Sequence, residues 1–217
     1  MYIIIFGAPG VGKGTQAKIL TSRLDIPHVS TGDILRDAAA RKTELGLKAK
    51  AIMDAGELVP DDVMIGIIRD TLNQERCAKG FILDGFPRNI NQAAVIDKLF
   101  TELRIEKIVI LALEADDEEI VSRLTNRRAC KECGQIFSIR EIEEISNCPN
   151  CNATGSFYQR NDDKEDVIRR RLAIFHSSTK PVLDYFEGKR VILHIDGLKP
   201  VDAVSEQILE KLNNLNF

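Results

Sequence analysis

The stretch that decides the fold is Tyr2-Ile3-Ile4-Ile5-Phe6-Gly7-Ala8-Pro9-Gly10-Val11-Gly12-Lys13-Gly14-Thr15. Its opening run is apolar and β-rich, which predicts a short buried strand. The glycine-rich segment that follows leads into residues 15–24, where Ala17, Ile19, Leu20 and Leu24 recur at helical spacing. A glycine loop between a strand and a helix lets successive backbone N–H groups face one point, and the helix N-terminus adds partial positive charge there. Lys13 can reach the outer phosphates of a bound nucleotide and Thr15 can face a magnesium shell. The expectation is a phosphate loop that grips a nucleoside triphosphate. Gly14, between Lys13 and Thr15, departs from the strict GxxxxGK[ST] pattern and displaces the hydroxyl by one residue.

Working outward, four more apolar runs predict strands at residues 26–29, 81–83, 108–113 and 191–195. Helical patterns fall at 34–41, 44–54, 60–74, 91–103, 116–124 and 201–212, with Pro60 placed in a first helical turn. Strands alternating with helices predict an α/β fold: a P-loop parallel five-stranded sheet with helices on both faces. Residues 126–163 break this rhythm. They hold four of the five cysteines, several turn residues and little helical periodicity, and they read as an inserted subdomain.

The 217 residues are 44% hydrophobic and 29% charged, with a net charge of −3. That composition reads as globular and carries no broad electrostatic footprint for nucleic acid or an anionic membrane. The N-terminus lacks the basic start and longer apolar stretch of a signal peptide, and no run reaches membrane-spanning length. A cytoplasmic protein is expected, with monomer as the default because no interaction stripe stands out.

Asp84 ends the run at residues 81–83, at the carboxyl end of a strand, where open α/β sheets bind ligands. A carboxylate there suits Mg2+ through water. Further motifs stand at Ser30-Thr31-Gly32-Asp33-Ile34-Leu35-Arg36, Gly56-Glu57-Leu58-Val59-Pro60, Asp84-Gly85-Phe86-Pro87-Arg88 with Gln92, and Tyr158-Gln159-Arg160-Asn161-Asp162-Asp163 followed by Arg171-Leu172. Together with the phosphate loop, Gly14 included, these segments resemble the adenylate kinase family over essentially the whole chain.

The resemblance implies a nucleoside monophosphate kinase that uses Mg2+ to convert ATP and AMP into two ADP. It places ATP on Gly10, Val11, Gly12, Lys13, Gly14 and Thr15, under Arg123 and Arg127, and against Ile136, Phe137 and the backbone of Lys199. Phe137 stands where relatives often have tyrosine, so the ring is kept and a hydroxyl is lost. The resemblance places AMP near Thr31, Arg36, Glu57, Leu58, Val59, Gly85, Phe86, Pro87, Arg88 and Gln92. Arg160 and Arg171 would clamp phosphates between the two nucleotides, and Lys13, Arg88, Arg123, Arg160 and Arg171 would carry the catalysis. It also implies a core of residues 1–29, 60–125 and 164–217, a helical acceptor-binding insert at 30–59 and a lid at 126–163.

Elementary chemistry agrees with that inventory. Two polyanions must meet against their own repulsion, and the planar fork of arginine suits phosphate. Arg123 and Arg127, four apart on a predicted helix, should face the same way, with Arg128 turned elsewhere. No general base is required, because a phosphate monoester is mostly dianionic at neutral pH. His28, His176 and His194 accordingly read as structural. A nucleic-acid-dependent NTPase would need a basic face that is missing.

Cys130-x-x-Cys133 and Cys148-x-x-Cys151 are separated by 14 residues, close to zinc-ribbon spacing. Four thiolates form a closed tetrahedral site with no open position, so a structural Zn2+ that staples a small β lid is expected. Redox-active dithiols are the rival reading, and two pairs at ribbon spacing argue against it.

Overall fold

The computed structural model describes residues 1–215. Along the chain run β1 (Tyr2–Gly7), α1 (Lys13–Leu24), β2 (His28–Ser30), α2 (Thr31–Ala40), α3 (Glu44–Asp54), α4 (Asp61–Leu72), β3 (Phe81–Asp84), α5 (Ile90–Glu102), β4 (Ile108–Glu114), α6 (Asp117–Thr125), β5 (Arg127–Cys130), β6 (Ile136–Ser138), α7 (Ile139–Ile142), β7 (Phe157–Tyr158), α8 (Glu165–Ile174), α9 (Pro181–Phe186), β8 (Val191–Asp196) and α10 (Val201–Asn213). Five strands make one parallel sheet in the order β2-β3-β1-β4-β8. The other three form a separate antiparallel sheet, β6-β5-β7.

Strand β1 shows why the apolar run at residues 2–6 has no polar alternation. Ile3 and Ile5 pack with Ala17 and Leu20 of α1 and Val204 and Ile208 of α10. Ile4 and Phe6 pack on the opposite face with Ile68 of α4, Ile96 of α5 and Val182 of α9. Successive side chains leave a strand on opposite faces, so a sheet covered twice requires apolar residues at every position. Burying each such isoleucine contributes about 1.5–3 kcal/mol.

Several boundaries differ from the sequence expectations, each for a local reason. Helix α1 starts at Lys13, two residues earlier than its apolar spacing suggests. Gly12 adopts a left-handed conformation (φ 107°) as the N-cap, and the helix follows at once. Helix α2 starts at Thr31, because the Ser30 side chain accepts a hydrogen bond from Asp33 N. Pro60 is the N-cap of α4 and not part of its first turn. Strand β2 is shifted to His28–Ser30; Pro27 has no N–H, although its carbonyl still accepts from Ile82 N at 2.8 Å.

Two corrections matter for the site. Arg127 belongs to strand β5, not to a helix shared with Arg123, because α6 ends at Thr125. Helices α8 and α9 also lie where no periodicity predicts them. They are joined by a π turn at Phe175–Thr179. Helix α8 buries only Val167, Ile168 and Leu172 in a run dominated by charge, so its helical signal is weak and tertiary packing decides it.

Among the described residues no helix is long and apolar enough to cross a membrane.

Candidate active site

Parallel strands deliver their carboxyl ends to one edge of the sheet. There β1 runs into the glycine loop, β3 ends at Asp84 and β2 ends at Ser30. Register fixes these ends side by side: Asp84 pairs with Ile5 on β1 and with Ser30 on β2. The result is a cleft of about 1510 Å³.

The loop needs its glycines for space as well as for conformation. Gly10 has φ 83°, and a Cβ there would lie 2.6 Å from Leu124 Cγ of α6. Lys13, the first residue of α1, donates from Nζ to the carbonyl oxygens of Gly7 and Ala8, each at 2.8 Å. Burial lowers its pKa from 10.5 to about 8; Asp84 opposes that shift, and Arg88, Arg171 and Arg127 add to it. The Asp84 carboxylate lies beside the helix start, with Oδ2 3.8 Å from where a Cβ on Gly14 would sit. Its Oδ2 is also 3.3 Å from His28 Nε2.

Guanidinium groups crowd the remainder of the cleft. Arg127 forks onto Asp163, with Nε donating at 2.8 Å, and Asp163 is fully buried. Arg171 Nη1 donates to the backbone oxygen of Asp162 at 2.9 Å and lies 2.9 Å from its carboxylate. Burial lowers the Arg171 pKa to about 10; Asp162 opposes the shift, while Arg127 and Arg88 reinforce it. Arg160 is lowered to about 10 by burial, then by Arg36 and Arg127. Its Nε is buried without a hydrogen-bond partner. Clustered cations that weaken one another, one of them with an unmet donor, suit a polyanion.

On the opposite side, Thr31 Oγ1 donates to the carbonyls of Asp84 and Gly85 at 3.2 and 3.1 Å. Arg88 Nε donates to Gly85 O at 2.7 Å, and Arg36 bonds Asp33 at 2.6 Å. Arg123 lies nearer β8. It bonds Glu119 at 3.0 Å and the carbonyls of Gly197 and Leu198 at 2.7 and 3.2 Å, next to Lys199. The Phe137 ring packs edge-on against Phe157, with centroids 5.6 Å apart. Every residue that the sequence assigns to donor, acceptor or magnesium lines this one cleft. Arg128 turns away and bonds the carbonyls of Thr125 and Arg127, as its place in the sequence suggests.

The sequence profile of the family described as "Adenylate kinase" matches residues 5–191. A curated relative from Archaeoglobus fulgidus, named "Adenylate kinase", is 44% identical over 99% of this chain and 100% of its own length. The chain belongs to the adenylate kinase family. Relatives of the same name from Caldicellulosiruptor bescii and Chloroherpeton thalassium are 44% and 47% identical over 98% and 99% of the chain, and over 99% of their own lengths.

In this family member, several residues of the site escaped the sequence reading as individuals. Asp162 and Asp163 hold the arginines in place. Thr179, at the end of the π turn, donates to Arg88 O at 2.8 Å. Asp61 accepts from both Asn89 and Gln92. The two aspartates stand within the quoted motif beside Arg160, so an expectation of counter-charges could have found them. Thr179 and Asp61 carry no local signal.

The four cysteines come together in the second sheet and its flanking turns. Their sulfurs all lie within 4.8 Å of one another. Cys130 and Cys151 Sγ are 3.7 Å apart, as are Cys133 and Cys148. Zinc–sulfur bonds of about 2.3 Å place tetrahedral sulfurs about 3.8 Å apart, whereas a disulfide requires about 2.05 Å. The residues therefore fit a four-thiolate metal.

Proposed function

We propose that this adenylate kinase family member transfers the terminal phosphoryl group of ATP reversibly to AMP, giving two ADP. The observation that carries this reading is a pair of cationic surfaces in one cleft: the glycine loop with Lys13, and Arg88 beside Gly85 and Thr31, with Arg160 and Arg171 in the same cleft. ATP takes the loop, Arg123, Arg127, Ile136, Phe137 and the Lys199 backbone. AMP takes Thr31, Arg36, the segment Glu57-Leu58-Val59, Gly85, Phe86, Pro87, Arg88 and Gln92.

Residues 1–29, 60–125 and 164–215 serve as the core, with the last two residues of the expected core segment outside the described residues, 30–59 as the acceptor-binding insert and 126–163 as a zinc-bearing lid. The Asp84 carboxylate faces the loop and fits a magnesium water shell; Mg2+, when bound there, neutralises phosphate charge. Lys13, Arg88, Arg123, Arg160 and Arg171 orient the two phosphate chains and stabilise the charge that develops during transfer. The acceptor phosphate is already dianionic near pH 7, so no side chain needs to remove a proton. Water must be kept out, because ATP would otherwise be hydrolysed unproductively. The enzyme works as a cytoplasmic monomer and needs no nucleic acid or membrane.

The deciding experiment is a coupled ADP assay with ATP and, in turn, AMP, CMP, GMP and UMP. AMP is the expected acceptor, and preference for any other overturns the reading.

Lys13 gives this reading a pH signature. Its pKa of about 8 in the ligand-free protein lies below the ordinary 10.5. A triphosphate against Nζ favours the charged form, so the pKa rises on binding and a proton is taken up. ATP affinity therefore falls as pH rises past about 8, while the ligand-free fold gains stability between about 8 and 10.5. Calorimetry above pH ~8 in two buffers of different ionisation enthalpy should show net proton uptake that Lys13→Met abolishes. Proton release by the unaltered protein would contradict it.

A further inference from the structure

Gln92 is only 1% exposed, yet it lines the acceptor side of the cleft. Its amide is held from two directions. Oε1 accepts from the backbone N–H of Arg88 at 2.8 Å, and Nε2 donates to Asp61 Oδ1 at 2.7 Å. Neither partner can exchange roles: a backbone N–H only donates and an ionised carboxylate only accepts. The amide therefore has one permitted orientation. Asp61 Oδ1 also accepts from Asn89 Nδ2 at 2.9 Å, and Asn89 Oδ1 accepts from Gln92 N at 2.9 Å. This closed network joins the start of α4 to the start of α5.

An amide has two N–H donors and two oxygen lone pairs. With one of each already used, Gln92 offers one donor and one acceptor in a fixed order. A base edge with a donor beside an acceptor can pair with that arrangement. Adenine presents N6–H beside N1. Guanine presents O6 beside N1–H, and uracil presents O4 beside N3–H, both in the reverse order. A freely turning glutamine could serve either order, whereas a locked one serves only one of them.

We propose that Asp61 is a specificity-determining residue that locks the Gln92 amide in the orientation that reads adenine and rejects guanine and uracil. It acts through Gln92 and is a positioning residue. The inference rests on the reading that Gln92 faces the acceptor base.

The test measures kcat/KM for AMP, GMP and UMP, with ATP saturating, in the unaltered enzyme and in Asp61→Ala, Asp61→Asn and Asp62→Ala. Asp61→Ala removes the accepting oxygen. The preference for AMP over GMP and over UMP is expected to fall about tenfold, chiefly through a higher KM for AMP, consistent with loss of a hydrogen bond to a charged group. Asp61→Asn keeps an oxygen at the position of Oδ1 and should stay within about twofold of the unaltered enzyme. Asp62→Ala removes the same charge from the same helix end at an exposed position and should leave the preference unchanged.

Direct titration of AMP and GMP onto each folded variant gives the same ratio independently of turnover. An unchanged preference in Asp61→Ala, or an equal fall in Asp62→Ala, overturns the inference. If the unaltered enzyme itself shows no preference for AMP, it is the underlying functional reading that fails.

Discussion

Replacing Arg88 with alanine is expected to lower turnover about a thousand-fold while the fold survives. The two halves of that expectation have one physical origin. Burial depresses the Arg88 pKa, with Asp84 opposing that shift and Arg36 adding to it. Among the described residues its side chain makes a single hydrogen bond, from Nε to Gly85 O. A buried cation with so little compensation costs stability in the ligand-free protein, so its removal leaves the fold no weaker. The charge is returned only when phosphate arrives. Loss of a positioned arginine in phosphoryl transfer costs on the order of 4 kcal/mol of transition-state stabilisation.

Lys13→Ala should behave in the same way, because its pKa of about 8 reports a similar burial cost. Arg88→Lys should recover only part of the rate, since an ammonium cannot form the bidentate fork. Steady-state ADP production beside a thermal melt checks both halves. Near-normal turnover in either alanine variant would refute the mechanism.

The second large effect concerns the lid. Within residues 126–163 the buried apolar side chains are Ala129, Cys130, Ile142 and Cys148. That is too little surface to hold a small sheet together without cross-links. A metal held by the four cysteine sulfurs would supply one. Ser156 Oγ lies 3.1 Å from Cys130 Sγ and is the main cause that lowers the Cys130 pKa to about 6, against the effect of burial. About one zinc per chain is expected by elemental analysis. Stripping it with a chelator should lower the melting temperature by roughly 10 °C, as expected for a few kcal/mol in a chain of this size. Protein that remains folded should keep its activity, because a closed four-sulfur site leaves no position for substrate. A metal-free preparation with unchanged melting would eliminate the staple.

Much of this was legible in the chain because it is local. The continuous apolar run at residues 2–6 announces a strand buried on both faces. Gly7 to Thr15 announces a phosphate loop by its place between that strand and α1. The spacing of Cys130, Cys133, Cys148 and Cys151 announces, by short-range arithmetic, four sulfurs positioned to hold a metal. In each case the signal lies in residues that are neighbours along the chain, and periodicity or motif suffices to read it. The acceptor and clamp segments were legible as a set, since their order and spacing resemble those of the adenylate kinase family.

Other features depend on proximity through space, which no periodicity reports. Helix α8 has a charged sequence and owes its place to Val167, Ile168 and Leu172 packing beneath it. Arg127 faces the cleft from strand β5 because its guanidinium forks onto Asp163, distant in sequence. The orientation of Gln92 is set by Asp61 on another helix. The amino-acid sequence by itself determined the alternating sheet, the phosphate loop and the four-cysteine cluster. Only the tertiary structure decided which carboxylate holds which arginine or amide, because the burial that makes such pairings costly to break exists only once the chain has closed around them.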